Sequence, residues 1–108
     1  MYIVVCDMIA EEVLDFIDRR FQYDCNWKTG NCYYFAIILF TRFNKYKPEL
    51  FYDAIDCHFV TKINGIFYDL EGAIYYDEEY ISKSLYKWND LQKDDPGWAS
   101  RIVRDVIM

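Results

Sequence analysis

Three residues of this 108-residue chain have side chains that could do chemistry together: Cys32, His58 and Asp69. A thiol becomes a nucleophile by losing its proton, and a helix N-terminus or a nearby imidazolium favours that loss. An imidazole accepts the proton best when a carboxylate holds its other ring nitrogen, fixing the tautomer and stabilising the charged ring. The chain therefore supplies a nucleophile, a base and an orienting acid, in that order. The reaction they suit is attack on an acyl or amide carbon, with water or an amine resolving the thioester. Hydrolysis, deamidation and acyl transfer all use these groups. The expected substrate is thus a small molecule or a protein bearing an amide, thioester or isopeptide bond.

Their placement rests on the elements around them. Asn31 is a good N-cap, and it predicts a helix from Cys32 to about Phe43 with the thiol in its first turn. That helix is apolar nearly all round, as a helix at the centre of a domain should be. Downstream, two strand-like runs, 50–63 and 66–74, meet at Asn64-Gly65, the strongest short-range signal of a two-residue hairpin turn. Such a turn pairs Ile63 with Ile66. His58 and Asp69 then become diagonal neighbours on one face, beside Val60, Phe67 and Glu71. Glu71 is the alternative acid, and Asp69 is preferred because its shorter side chain constrains the ring better. Cys57, Phe59 and Tyr68 fall on the other face.

Elsewhere, Ile9, Val13, Phe16, Ile17 and Phe21 recur at helical spacing, predicting an amphipathic helix capped by Asp7 and ending near Arg20, after a short extended start. Residues 24–31 form a loop rich in turn-formers. A further helix is expected from Asp77 to about Trp88, and then a polar turn at Asp95-Pro96-Gly97 and a short amphipathic tail. The sum is one α+β domain over residues 1–108, with a central buried helix carrying Cys32 packed on a small antiparallel sheet and flanked by helices.

In this order, the segments "GNCYYFAIILFTRF" (30–43) and "DCHFVTKINGIFYDLEG" (56–72) resemble the papain-like cysteine hydrolases in their transglutaminase-like, Cys-His-Asp form. The resemblance implies a papain-like core, a triad of Cys32, His58 and Asp69, and an oxyanion site formed by the Cys32 N–H with Asn26. Asn26 stands where that pattern more usually has Gln, and Trp27 and Asn31 are candidates to shape the same site. More loosely, the chain is similar to small phage and bacterial proteins with a comparable Cys helix and His–Gly–Asp hairpin.

Composition limits the alternatives. Eleven Tyr, eight Phe and three Trp, with 54% hydrophobic residues, describe a chain that packs a core rather than a disordered one. A formal charge of −6 argues against direct nucleic-acid binding, which needs a basic patch. No run approaches the roughly 20 apolar residues of a membrane span. With no basic segment ahead of the apolar start, Cys6, Cys25, Cys32 and Cys57 are read as reduced thiols of a cytoplasmic protein, in a host cytoplasm if phage-encoded. A zinc site built from Cys25, Cys32, Cys57 and His58 fails, because no C-x-x-C occurs and Cys57 and His58 face opposite ways. No metal or other cofactor is expected. Phosphate loops and serine-hydrolase patterns are missing from the sequence. The rival to an enzyme is an acidic, tyrosine-rich binding protein of phage type that occupies a host defence protein, since interfaces are enriched in Tyr and Trp.

Overall fold

A computed structural model describes residues 2–20, 32–69 and 71–107, with side chains described for 8–20, 32–69 and 71–105. Three helices or helical groups and one sheet do most of the positioning. Helix α1 spans Tyr2–Arg20 and α2 spans Cys32–Arg42. A 3-10 turn, Asn44–Tyr46, leads into strands β1 (Glu49–Asp53), β2 (His58–Ile63), β3 (Ile66–Asp69) and β4 (Gly72–Ile74). Helix α3 (Glu78–Ser84), strand β5 (Leu85–Lys87), helices α4 (Trp88–Asp94) and α5 (Pro96–Ile102) and a π-helical turn, Val103–Ile107, complete the described chain. The sheet is antiparallel in the order β4-β3-β2-β1-β5. The α+β expectation, with a buried Cys helix on a small antiparallel sheet, holds.

Hairpin chemistry set the register as expected. Ile63 pairs with Ile66 and Thr61 with Tyr68, and Asn64 and Gly65 carry φ of 51° and 86°. Two consecutive positive φ angles define the turn whose twist matches antiparallel strands, and Asn and Gly tolerate them best. Other expectations differ: the run 66–74 is two strands, β3 and β4, with the Asp69 carboxylate accepting the Glu71 N–H between them. Residues 50–63 are two strands, because the Asp53 carboxylate accepts the backbone N–H groups of Ile55 and Asp56 at 3.0 and 3.2 Å. An Asp that bonds the backbone two and three residues ahead closes a turn inside an apolar run. Likewise, the helix begun at Asp77, whose side chain accepts the Tyr80 N–H at 2.8 Å, stops at Ser84. Leu85–Lys87 instead pairs with β1, so tertiary pairing overrode local helix preference. The extended start is also corrected, since α1 begins at Tyr2.

The sheet has two differently dressed faces. On the helix face, α1 contributes Val13, Phe16 and Ile17, and α2 contributes Phe35 and Leu39, all packed with Phe43, Ile63 and Tyr68. Further along the same face, Cys32 and Ala36 of α2 pack with Tyr52, Phe59, Trp88, Leu91, Ala99 and Ile102. The Thr61 hydroxyl, fully buried, donates to the Ala36 carbonyl at 2.9 Å and ties α2 to β2. The opposite face carries Phe51, Val60, Phe67 and Leu85, covered by Ile74, Tyr76, Tyr80 and Ile81. Among the described residues, no helix is long and apolar enough to cross a membrane.

Candidate functional site

Cys32 occupies the first position of α2, where the sequence placed it, and is 7% exposed; Asn31, its expected cap, lies outside the described residues. Burial pushes its thiol pKa up, while backbone N–H groups of Phe59, Tyr33 and Cys32 itself pull it down; burial wins. A thiol taken out of water resists ionising even where N–H groups would welcome the anion.

His58 opens β2 and pairs across to Asp53 at the end of β1. Its Nε2 lies 3.8 Å from the Asp69 carboxylate, so the diagonal contact foreseen from the hairpin register is present. That distance suits an ion pair and is too long for a hydrogen bond, and the buried Nε2 atom makes no hydrogen bond among the described residues. The other oxygen of Asp69 accepts the Glu71 N–H at 2.8 Å, so this acid also shapes the turn between β3 and β4. Glu71, the alternative acid, is exposed; the ion pair of His58 is with Asp69.

Cys32 and His58 are not on the same side of the sheet. Tyr52 and Phe59 are register partners, and both pack against Cys32 on the helix face. Their neighbours Asp53 and His58, also partners, project the other way because successive strand residues alternate. Asp53 confirms the direction: its carboxylate accepts the hydroxyls of Tyr76 at 3.2 Å and Tyr80 at 2.9 Å, on the face that α3 covers. The structure therefore brings His58 and Asp69 together and leaves Cys32 behind β2, with its sulfur turned toward the Phe59 N–H. Asn26, Trp27 and Asn31, the expected oxyanion and shaping residues, lie outside the described residues, as do Cys25 and the side chain of Cys6.

Sequence reasoning missed the hub of the His58 face. Asp53 is fully buried, and four donors serve its two oxygens: the N–H groups of Ile55 and Asp56 and the hydroxyls of Tyr76 and Tyr80. The two phenol rings stack at 4.9 Å and 12°. Burial, then the neighbouring Asp53 charge and hydrogen bond, push both phenol pKa values well above the ordinary tyrosine range. A carboxylate at the end of the apolar strand Glu49–Asp53 was the available signal, since a buried charge must find partners. One carboxylate oxygen each from Asp53 and Asp56 and a nitrogen of His58 lie within 4.8 Å of one another, the donor types a divalent cation would take. The four donors already satisfying Asp53 account for its buried charge without one.

A concavity lies between α2, the start of β1 and the start of α4. It encloses about 490 Å³ and is lined by Tyr33, Ile37 and Phe40 of α2, Leu50 of β1 and Trp88 of α4, with polar residues around them.

The class these features define is an α+β protein whose antiparallel sheet is packed by an apolar helix on one face and by a tyrosine–carboxylate cluster on the other. The chain belongs to the phage YunG-like protein family, whose model matches residues 9–98. This corrects the papain-like and transglutaminase-like assignment: the order of Cys helix and His hairpin is there, but the family matched is a different one. Among curated proteins, the chain is 27% identical over 79 residues to the vacuolar fusion protein CCZ1 of Candida glabrata. That match covers 72% of this chain and 12% of the yeast protein, so the chain spans about an eighth of that relative's length. No solved structure matches.

Proposed function

We propose that this phage-family chain works by binding, occupying a host protein in the host cytoplasm without chemistry of its own. The observation that carries the reading is the separation of Cys32 from His58 by strand β2. A thiol–imidazole pair needs both groups within hydrogen-bond reach of one reacting atom, and here the imidazole lies among the carboxylates of Asp69, Asp53 and Asp56 instead. Burial also keeps the Cys32 thiol protonated, the opposite of what a nucleophile at neutral pH requires. An acidic, tyrosine-rich chain suits the binding role, because tyrosine offers large contact area at little entropic cost.

A second reading keeps Cys32 as the nucleophile of a hydrolase or acyl-transfer enzyme. It draws on the backbone N–H groups of Phe59, Tyr33 and Cys32 that act on the sulfur, an environment that stabilises an anion.

Iodoacetamide labelling from pH 5 to 9, mapped by mass spectrometry, separates the two. Under the binding reading the exposed Cys57 is alkylated well before the buried Cys32, and His58→Ala changes neither rate. Fast labelling of Cys32 near pH 6, lost in His58→Ala, would overturn that reading in favour of the enzyme.

A further inference from the structure

We infer that the groove beside α2 is the docking site for an extended, positively charged protein segment anchored by a bulky apolar side chain. The inference rests on the binding reading above and adds the place and the chemistry of the partner. At about 490 Å³ the groove falls within the roughly 300–1,000 Å³ of pockets that take up ligands.

Its floor is a second stripe of α2. Tyr33, Ile37 and Phe40 stand at i, i+4 and i+7, one helical face about 10 Å long. Cys32, Phe35, Ala36 and Leu39 are spent in the core, whereas these three remain only half-buried. Leu50 and the Trp88 ring supply more apolar wall, and exposed Asn89, Asp90 and Gln92 form a polar rim. An apolar floor with aromatic residues inside a polar rim is the anatomy of a protein-binding patch.

Backbone and charge then select the occupant. Glu49 and Leu50 of β1 pair with Lys62 and Thr61 of β2, but β5 reaches only as far as Phe51 on the other side. The chain turns into α4 at Trp88, so β5 pairing stops short of Leu50 and Glu49 where the groove begins, and α4 packs beside that end of β1. An open edge receives an extended backbone, with side chains specified by the adjoining pocket. Among the charged lining residues, the Lys87 ammonium sits 3.2 Å from the Glu49 carboxylate. Asp90 is exposed and makes no ion pair among the described residues. With −6 over the whole chain, the local and the long-range field both favour a cationic segment and repel an anionic one.

The test uses the full chain, 15N-labelled, titrated with acetyl-Trp-Leu-Arg-Arg-amide and with its acetyl-Trp-Leu-Glu-Glu-amide counterpart. The arginine peptide is expected to shift the amide signals of Ile37, Leu50 and Asn89, and the glutamate peptide to leave them in place. Asp90→Asn should weaken the arginine peptide about fivefold, and Phe40→Asp should abolish its binding while the free spectrum stays dispersed. Equal binding of both peptides, shifts centred elsewhere, or tryptamine alone binding as tightly as the arginine peptide would each overturn the inference. None of those results touches the general binding reading, which falls only on the cysteine labelling.

Discussion

The two faces of one small sheet are stabilised by different physics. The helix face is held by dispersion and burial: Phe59 meets Tyr33, Tyr52 and Trp88 at ring centroid distances of 5.0, 5.2 and 4.9 Å. The tyrosine face is organised around one buried charge, Asp53, and the donors that satisfy it. Cys32 belongs to the first face, buried among Ala36, Tyr52, Phe59 and Trp88. His58 belongs to the second and is one more polar group near an acid. The lesson is that a helix residue and a strand residue meet only when the helix packs on the face toward which that strand residue points.

The sharpest way to test that contrast is to remove the centre of each face. Phe59→Ala should cost about 4 kcal/mol in urea unfolding, since it deletes a fully buried ring with three aromatic neighbours. Asp53→Ala should cost about 3 kcal/mol, because two phenols and two turn N–H groups lose their acceptor. A loss below about 1 kcal/mol for Asp53→Ala would mean that the tyrosine face is solvated polar surface rather than a hydrogen-bonded core.

The same face predicts an alkaline weakness. The Tyr76 and Tyr80 pKa values are raised on folding, so the fold favours their neutral forms. Their contribution is complete below the unfolded tyrosine value, near pH 10, and is lost as pH rises through the higher folded values. The urea midpoint of the wild type should therefore fall from pH 10 upward, and fall less in a Tyr76→Phe/Tyr80→Phe variant. Equal falls would detach these phenols from the stability of the face.

How much of this was legible beforehand follows from range. The Asn64-Gly65 turn, the Cys32 helix start and the His58–Asp69 diagonal are local or one hairpin away, and each was readable from spacing. Period-2 alternation also placed Phe59 and His58 on opposite faces. What spacing could not supply was the face on which α2 would land, which depends on packing Cys32, Ala36 and Leu39 against residues far along the chain. Asp53 stayed hidden for a related reason. Its turn bonds are local, but Tyr76 and Tyr80 lie 23 and 27 residues away, and only the folded sheet brings them over it. Strand β5 was lost to a helical pattern because its partner, β1, is more than 30 residues upstream.

The smallest expected effect has the opposite sign and sits on the helix face. Tyr68 is fully buried among Phe16, Phe35 and Ile63, and its hydroxyl has no hydrogen-bond partner among the described residues. That oxygen gains no hydrogen bond among the described residues, whereas the Tyr80 hydroxyl across the sheet donates to both oxygens of Asp53. Burial also pushes the Tyr68 phenol pKa up. Tyr68→Phe should therefore raise stability by about 1 kcal/mol, because it removes an unsatisfied polar atom while keeping the ring. Tyr80→Phe, which deletes a satisfied hydroxyl, should lower stability by a similar amount. Urea midpoints for the two variants form the most direct comparison of the faces, since the same atom is deleted from each. Two losses of equal size would mean that the Tyr68 hydroxyl finds a partner in solution and that the helix face is less purely apolar than its packing implies.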